Sequence, residues 1–166
     1  ARSLATHVLS IFGDHQDIYA ARSTGFAILA ESSPQQVMDL TAVAHLAALS
    51  GRVPFLNFFD GFRTSHELQK VDVIDTEALK KLVDKKALEA FRERSLHPLN
   101  PVTRGTSEND DIYFQATEVR NTYYQALPDI VDHYMQEINK ITGKHYAPLI
   151  TMVVKRLLKS LLPWEV

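Results

Sequence analysis

The sequence predicts an α/β domain built on a parallel sheet, and two observations carry the prediction. First, a short apolar run from Gly25 to Ala30 and a nearly continuous apolar run from Val53 to Phe59 flank one helical pattern between Pro34 and Gly51. That strand, helix, strand order is a βαβ unit, whose crossover should be right-handed. Second, polar clusters sit on the ends of apolar segments: Gly13-Asp14-His15-Gln16-Asp17, and Asp60 through Glu67. Open parallel sheets gather their sites beyond the carboxyl ends of the strands, and Asp60 lies at such an end.

Each element has its own justification. Gly25 to Ala30, closed by Glu31-Ser32-Ser33, reads as a buried strand followed by a turn. Ser33 is placed to cap a helix with Pro34 at its first position, and Val37, Leu40, Ala44, Ala47 and Ala48 recur at helical spacing until Gly51 stops it. Val53 to Phe59 suits a strand covered on both faces. Asp75 or Thr76 starts one helix carrying Leu79, Leu82, Val83, Ala87, Ala90 and Phe91, with Arg92 and Arg94 late to suit its dipole. His97 through Asp111 is rich in turn residues and predicts an extended surface connection. A further helix is predicted from Pro128-Asp129, with Val131, Tyr134, Ile138 and Ile141 on one face before Gly143. Leu149 to Trp164 reads either as a basic amphipathic helix for a membrane surface or partner, or as a terminal packing helix.

Composition narrows the function classes. The 166 residues carry a net charge of -2 with both signs mixed along the chain, so no broad basic field is available for nucleic acid. The absence of cysteine excludes disulfides and cysteine-ligated zinc or iron–sulfur centres within these residues. No apolar stretch reaches the roughly 20 residues that span a bilayer, so a soluble, cytoplasmic protein without membrane contact is expected. Ala1-Arg2-Ser3-Leu4 opens without an initiator Met. The chain is accordingly expected to be a piece of something larger.

Several constellations admit two readings. Asp14, His15 and Gln16 could give hydrogen bonds to a ligand, or Asp14 could cap a helix starting near Gln16 with His15 in the turn. Metal binding is not expected, because two Asp and one His within four residues match no established loop spacing. Asp60, Arg63, His66 and Glu67 could form a charged network that recognises an anion or holds a domain interface, or a set of turn and cap residues with surface ion pairs. A hydrolase is not expected: a Ser beside its own His, as in Ser65-His66, does not readily present Oγ to that imidazole, and no Gly-x-Ser-x-Gly elbow occurs. Tyr113, Phe114, Tyr123 and Tyr124 could stack on a cofactor or anchor the connection to the core. No Gly-x-Gly-x-x-Gly or Walker-type loop is present, and the remaining His residues show no paired spacing. An Arg near a terminus, such as Arg2, is by itself an ordinary solvated charge.

The segments Ser10-Ile11-Phe12-Gly13-Asp14-His15-Gln16-Asp17 and Val53-Pro54-Phe55-Leu56-Asn57-Phe58-Phe59-Asp60-Gly61-Phe62-Arg63-Thr64-Ser65-His66-Glu67 closely resemble the N-terminal domain of the pyruvate:ferredoxin (flavodoxin) oxidoreductases, with Arg104-Gly105-Thr106 and Asp111-Ile112-Tyr113-Phe114-Gln115 as further islands. The resemblance implies an incomplete α/β parallel-sheet domain of the thiamine-diphosphate-binding (pyrimidine) type, with an extended C-terminal connection. It implies oxidative decarboxylation of pyruvate to acetyl-CoA and CO2, with electrons passed through 4Fe-4S clusters to ferredoxin or flavodoxin. Thiamine pyrophosphate with Mg2+ is implied as cofactor, bound mainly by other domains, with coenzyme A as co-substrate and a homo-oligomeric full enzyme. Arg2 occupies the offset of the Arg that binds the pyruvate carboxylate in this family, while Asp14, His15, Gln16, Asp60 and Arg63 are candidates to line the site. The activating Glu of the family lies upstream, so no catalytic residue and no metal ligand is assigned here, and the piece alone is expected to be inactive.

The expected organisation is residues 1–94 as the partial pyrimidine-side domain, 95–146 as the connection and C-terminal helix, and 147–166 as a divergent tail. Near Ala147 the resemblance stops; codons for Leu162-Pro163-Trp164-Glu165 shifted by one base can encode Ile-Ala-Met-Gly, so an out-of-frame tail is the expectation. Two rival readings stand beside the main one. One is an oxidoreductase for another 2-oxo acid, and the other is a noncatalytic interaction domain that keeps the fold.

Overall fold

The computed structural model describes residues 7–8, 13–102, 105 and 107–148. Arg2, the Ser10–Phe12 part of the first polar block, Arg104 and the tail beyond Pro148 lie outside the described residues. In order, the elements are α1 (Gln16–Ala21), a 3-10 turn (Arg22–Thr24), β1 (Ala27–Glu31), α2 (Pro34–Gly51), β2 (Phe55–Phe59), α3 (Arg63–His66), α4 (Thr76–Lys81), α5 (Lys85–Arg94) and α6 (Asp110–Thr142).

Strands β1 and β2 pair in parallel, with Ala27 opposite Phe55 and Glu31 opposite Phe59, so the βαβ unit and the incomplete α/β class are present as read from the sequence. Helix α2 connects them. Ser33 Oγ accepts from the Gln36 N–H at 3.3 Å with Pro34 at the first turn, which satisfies one of the donors a helix start leaves open. The core gathers where α2 lies along α6 and beneath the strands: Leu40, Val43, Leu46 and Ala47 meet Leu127, Val131, Tyr134, Met135 and Ile138.

Three expectations need correction. β1 is covered on one face only, since Ala27 and Leu29 pack against the core whereas Ile28 and Ala30 are exposed, and β2 is only half-buried from Phe55 to Phe58 and exposed at Phe59. The helix expected from Asp75 through Arg94 is two helices, because Asp84 takes extended backbone and caps a new start by accepting from the Ala87 N–H at 3.0 Å. The helix expected from Pro128 begins at Asp110 and runs 33 residues with Pro128 inside it. Proline reads as a helix start because it removes a backbone donor, but here burial of the turns after it and an acidic first turn before it hold one continuous helix. The expected stop of α2 at Gly51 is met, with the left-handed Arg52 (φ 57°) following it. A Cβ on Gly51 would stand 2.8 Å from Leu127 Cδ1, so the glycine there allows close approach to α6.

Among the described residues, no helix is long and apolar enough to cross a membrane.

Candidate functional site

The two polar blocks meet at one end of the molecule. Asp14 Oδ1 accepts from the Gln16 N–H at 2.8 Å, starting α1 just before His15, which makes no side-chain cap bond itself. This is the capping geometry read from the sequence. Gly13 is packed so tightly against the turn after β2 that a Cβ on it would lie 2.7 Å from Asp60 Oδ1. The His15 ring stands edge-on to Phe58, with centroids 5.5 Å apart and planes at 80°. Asp14, His15 and Gln16 are thereby brought beside Asp60, although 46 positions separate Asp14 from Asp60 in the chain.

Beyond β2 the chain makes a turn rather than a charged network. Asp60 Oδ1 accepts from the Phe62 N–H at 3.3 Å, and the Asp60 carbonyl accepts from the Ser65 N–H at 3.3 Å. Thr64 is buried, while Arg63, His66 and Glu67 face solvent. No ion pair among the described residues joins Asp60, Arg63, His66 and Glu67. One expectation fails here: Ser65 Oγ does reach the neighbouring ring, 2.8 Å from His66 Nδ1. Ser65 Oγ also donates to the Gly61 carbonyl, so its proton is already committed and Nδ1–H is the donor to Oγ. That polarity is opposite to the one a serine nucleophile needs, in which the imidazole accepts from the hydroxyl.

Glu31 is the notable group that the sequence reading missed. It closes β1 at 5% exposure, and neither Oε1 nor Oε2 has a hydrogen-bond partner. Leu29 is paired with Asn57, so Glu31, two residues on, shares the face of Asn57. Asn57 Nδ2 donates to Thr41 Oγ1 of α2 at 2.9 Å, leaving its own Oδ1 unpartnered and buried. Burial pushes the Glu31 carboxyl from 4.5 up to about 7, with the nearby Asn57 amide opposing the rise. The Asn57 influence is one of proximity, since no bond of ordinary geometry reaches either carboxyl oxygen. Only a weak signal exists in the sequence: a carboxylate ending an apolar strand is solvated, paired or buried neutral, and the serines that follow favour the first.

The aromatic candidates divide between surface and core. Tyr113 and Phe114 are exposed on the first turns of α6, whereas Tyr124 OH donates to the Gly25 carbonyl at 2.7 Å and Tyr123 OH accepts from Arg52 Nη1 at 3.0 Å.

Residues 1–136 match the family model described as "Pyruvate flavodoxin/ferredoxin oxidoreductase, thiamine diP-bdg". Over 146 residues, 88% of this chain, the sequence is 62% identical to a pyruvate-flavodoxin oxidoreductase of Klebsiella pneumoniae, of which that span is 12%. It is 60% identical over the same length to a pyruvate:ferredoxin oxidoreductase of Moorella thermoacetica, again 12% of the relative. A pyruvate dehydrogenase [NADP(+)] of Cryptosporidium parvum is 53% identical over 146 residues, 8% of its length. The chain therefore spans about one-eighth of the length of the first two relatives.

Proposed function

Because the chain belongs to the pyruvate flavodoxin/ferredoxin oxidoreductase family, we propose that it is a segment of an enzyme that converts pyruvate and coenzyme A to acetyl-CoA and CO2, passing the electrons to ferredoxin or flavodoxin. The observation that carries this reading is 62% identity, sustained over 146 residues, to a protein bearing that name. The relative from Cryptosporidium parvum, named for NADP(+), is 53% identical through this span, which supports a reading in which the electron acceptor is chosen outside it.

In this reading Arg2 grips the carboxylate of pyruvate. A guanidinium presents a planar fork of donors matched to a carboxylate, worth about 1.5–3 kcal/mol when water is excluded. Asp14, His15, Gln16, Asp60 and Arg63 line the same end of the sheet, with Asp14 and Asp60 shaping the two turns through their backbone hydrogen bonds. Residues 1–94 are the pyrimidine-side part, residues 95–146 the connection and closing helix, and 147–166 a tail that departs from the family.

Thiamine diphosphate, when bound, supplies the carbanion stabilisation that loss of CO2 requires. Its diphosphate and Mg2+ ask for a phosphate cradle and a set of oxygen ligands. The sequence has no glycine-rich phosphate loop, and among the described residues no group of three His, Asp or Glu side chains is arranged for a cation. The described residues do not fit that part of the cofactor. Diphosphate, Mg2+, the 4Fe-4S clusters and the coenzyme A site belong in this reading to the remainder of a cytoplasmic, homo-oligomeric enzyme.

The test is pyruvate turnover by the complete oxidoreductase carrying Arg2→Ala. KM for pyruvate should rise about 10- to 100-fold, in line with the loss of one charge-assisted pair, with a smaller change in kcat. An unchanged KM removes the role assigned to Arg2.

A further inference from the structure

At the opposite end of the strands from Asp60, His45, Ala48 and Leu49 of α2, the Arg52–Pro54 link and Phe91 and Arg94 of α5 enclose a cleft of about 480 Å³. We propose that this cleft binds a small organic anion, with an aromatic or aliphatic body on the apolar floor and its carboxylate or phosphate held by Arg52.

The volume falls in the range of ordinary small-ligand pockets, about 300–1,000 Å³. Ala48, Leu49, Val53, Pro54 and Phe91 form the floor, while His45 and Arg52 bring N–H donors and no carboxylate lines the cleft. An apolar floor alone would favour a neutral ligand, and an arginine alone would favour water. Together they select a molecule that is apolar at one end and negative at the other.

Arg52 has features that a simple turn residue would not need. It adopts left-handed backbone, φ 57° and ψ 27°, at a helix end where glycine is the relaxed choice. Its guanidinium, although exposed, is engaged: Nη1 donates to Tyr123 OH at 3.0 Å, and the guanidinium carbon lies 5.0 Å from the centroid of that ring. Stacking on an aromatic face leaves the edge of the planar group available, and Tyr123 takes only one of its five N–H donors. A side chain already ordered loses less rotamer freedom when it receives an anion, which is how preorganisation raises affinity.

The probe is phenyl phosphate, with benzyl alcohol as its uncharged counterpart, titrated calorimetrically into the 166-residue chain. Phenyl phosphate should bind saturably and at least about tenfold more tightly than benzyl alcohol. Arg52→Gly keeps the left-handed turn and removes the guanidinium, so it should weaken phenyl phosphate about tenfold or more with an unchanged circular dichroism spectrum. Phe91→Ala, at a position 55% exposed, should weaken both ligands without unfolding the chain. Arg120→Ala, on the exposed part of α6, should weaken neither. The proposal is overturned if phenyl phosphate shows no saturable binding, if benzyl alcohol binds equally well, or if either Arg52→Gly or Phe91→Ala binds phenyl phosphate as the parent chain does.

Discussion

A carboxyl group that receives no hydrogen bond is held more favourably as the neutral acid than as the anion, and Glu31 meets that condition on both oxygens. Its carboxyl is raised from 4.5 to about 7 by burial. Between those two pH values the folded chain keeps a proton that the unfolded chain has released, so Glu31 makes stability fall as pH rises through that window. Its stabilising share is complete below pH 4.5 and lost above about 7, a span of about 3 kcal/mol. Urea denaturation from pH 4 to 8 should show this slope, and Glu31→Gln should flatten it and raise the midpoint at pH 8. An identical slope in the variant would assign the proton to another group. Little of this could be read from the sequence, because Glu31 borders Ser32 and Ser33 and looks like the start of a polar turn. The Asp14 cap, by contrast, was legible because its partner is two residues away. Ser65 and His66 were misjudged for a related reason: whether neighbours touch depends on the tight turn at Gly61, not on their adjacency.

At the level of elements, Gly51 marks the tightest point between α2 and α6. Alanine favours helix over glycine by about 1 kcal/mol, yet its Cβ would stand 2.8 Å from Leu127 Cδ1, a buried group with core on its other sides. Crowding should win, and Gly51→Ala should lower stability by about 1–2 kcal/mol. In a Leu127→Ala background the same change should be neutral or favourable; additive costs in that double-mutant cycle would mean the contact is not the cause. The strongest sequence signals were those that start and stop elements within a few residues, and Ser33-Pro34 and the apolar runs of β1 and β2 were read correctly for that reason. Pro128 misled because its local meaning is helix start, whereas the packing of Leu127, Val131 and Tyr134 against α2 decides the outcome. Asp84 misleads in the opposite direction, since its cap is available only once Asp84 itself has left helical geometry.

Across the whole molecule, one buried carboxylate joins segments far apart in the chain. Asp39, fully enclosed on α2, accepts from Lys144 Nζ at 3.0 Å, Tyr146 OH at 2.7 Å and Gln35 Nε2 at 3.1 Å. Gln35 in turn holds the backbone of Asp72 at both N–H and carbonyl. Burial, then the bond to Asp39 and its charge, push the Tyr146 hydroxyl well above the usual phenol range, so it remains a donor. Asp39→Ala would leave the phenol without its acceptor and the Lys144 ammonium with only the exposed Asp72 carboxylate 4.0 Å away, and should cost about 3 kcal/mol in chemical denaturation, while Tyr146→Phe should cost about 1–2 kcal/mol. Equal, small losses in both would show that Asp39 is not the hub. No periodicity announces such a group, because an Asp on an apolar helix face is identified by partners more than 100 positions away. The long α6 has a mechanical corollary. Its turns from Asp110 to Thr122, nearly all exposed, extend about 20 Å before Tyr123 and Tyr124 first tie the helix to the rest of the fold. A push at the tip would therefore bear, with the advantage of a long handle, on the anchor those two phenols make at Arg52 and Gly25.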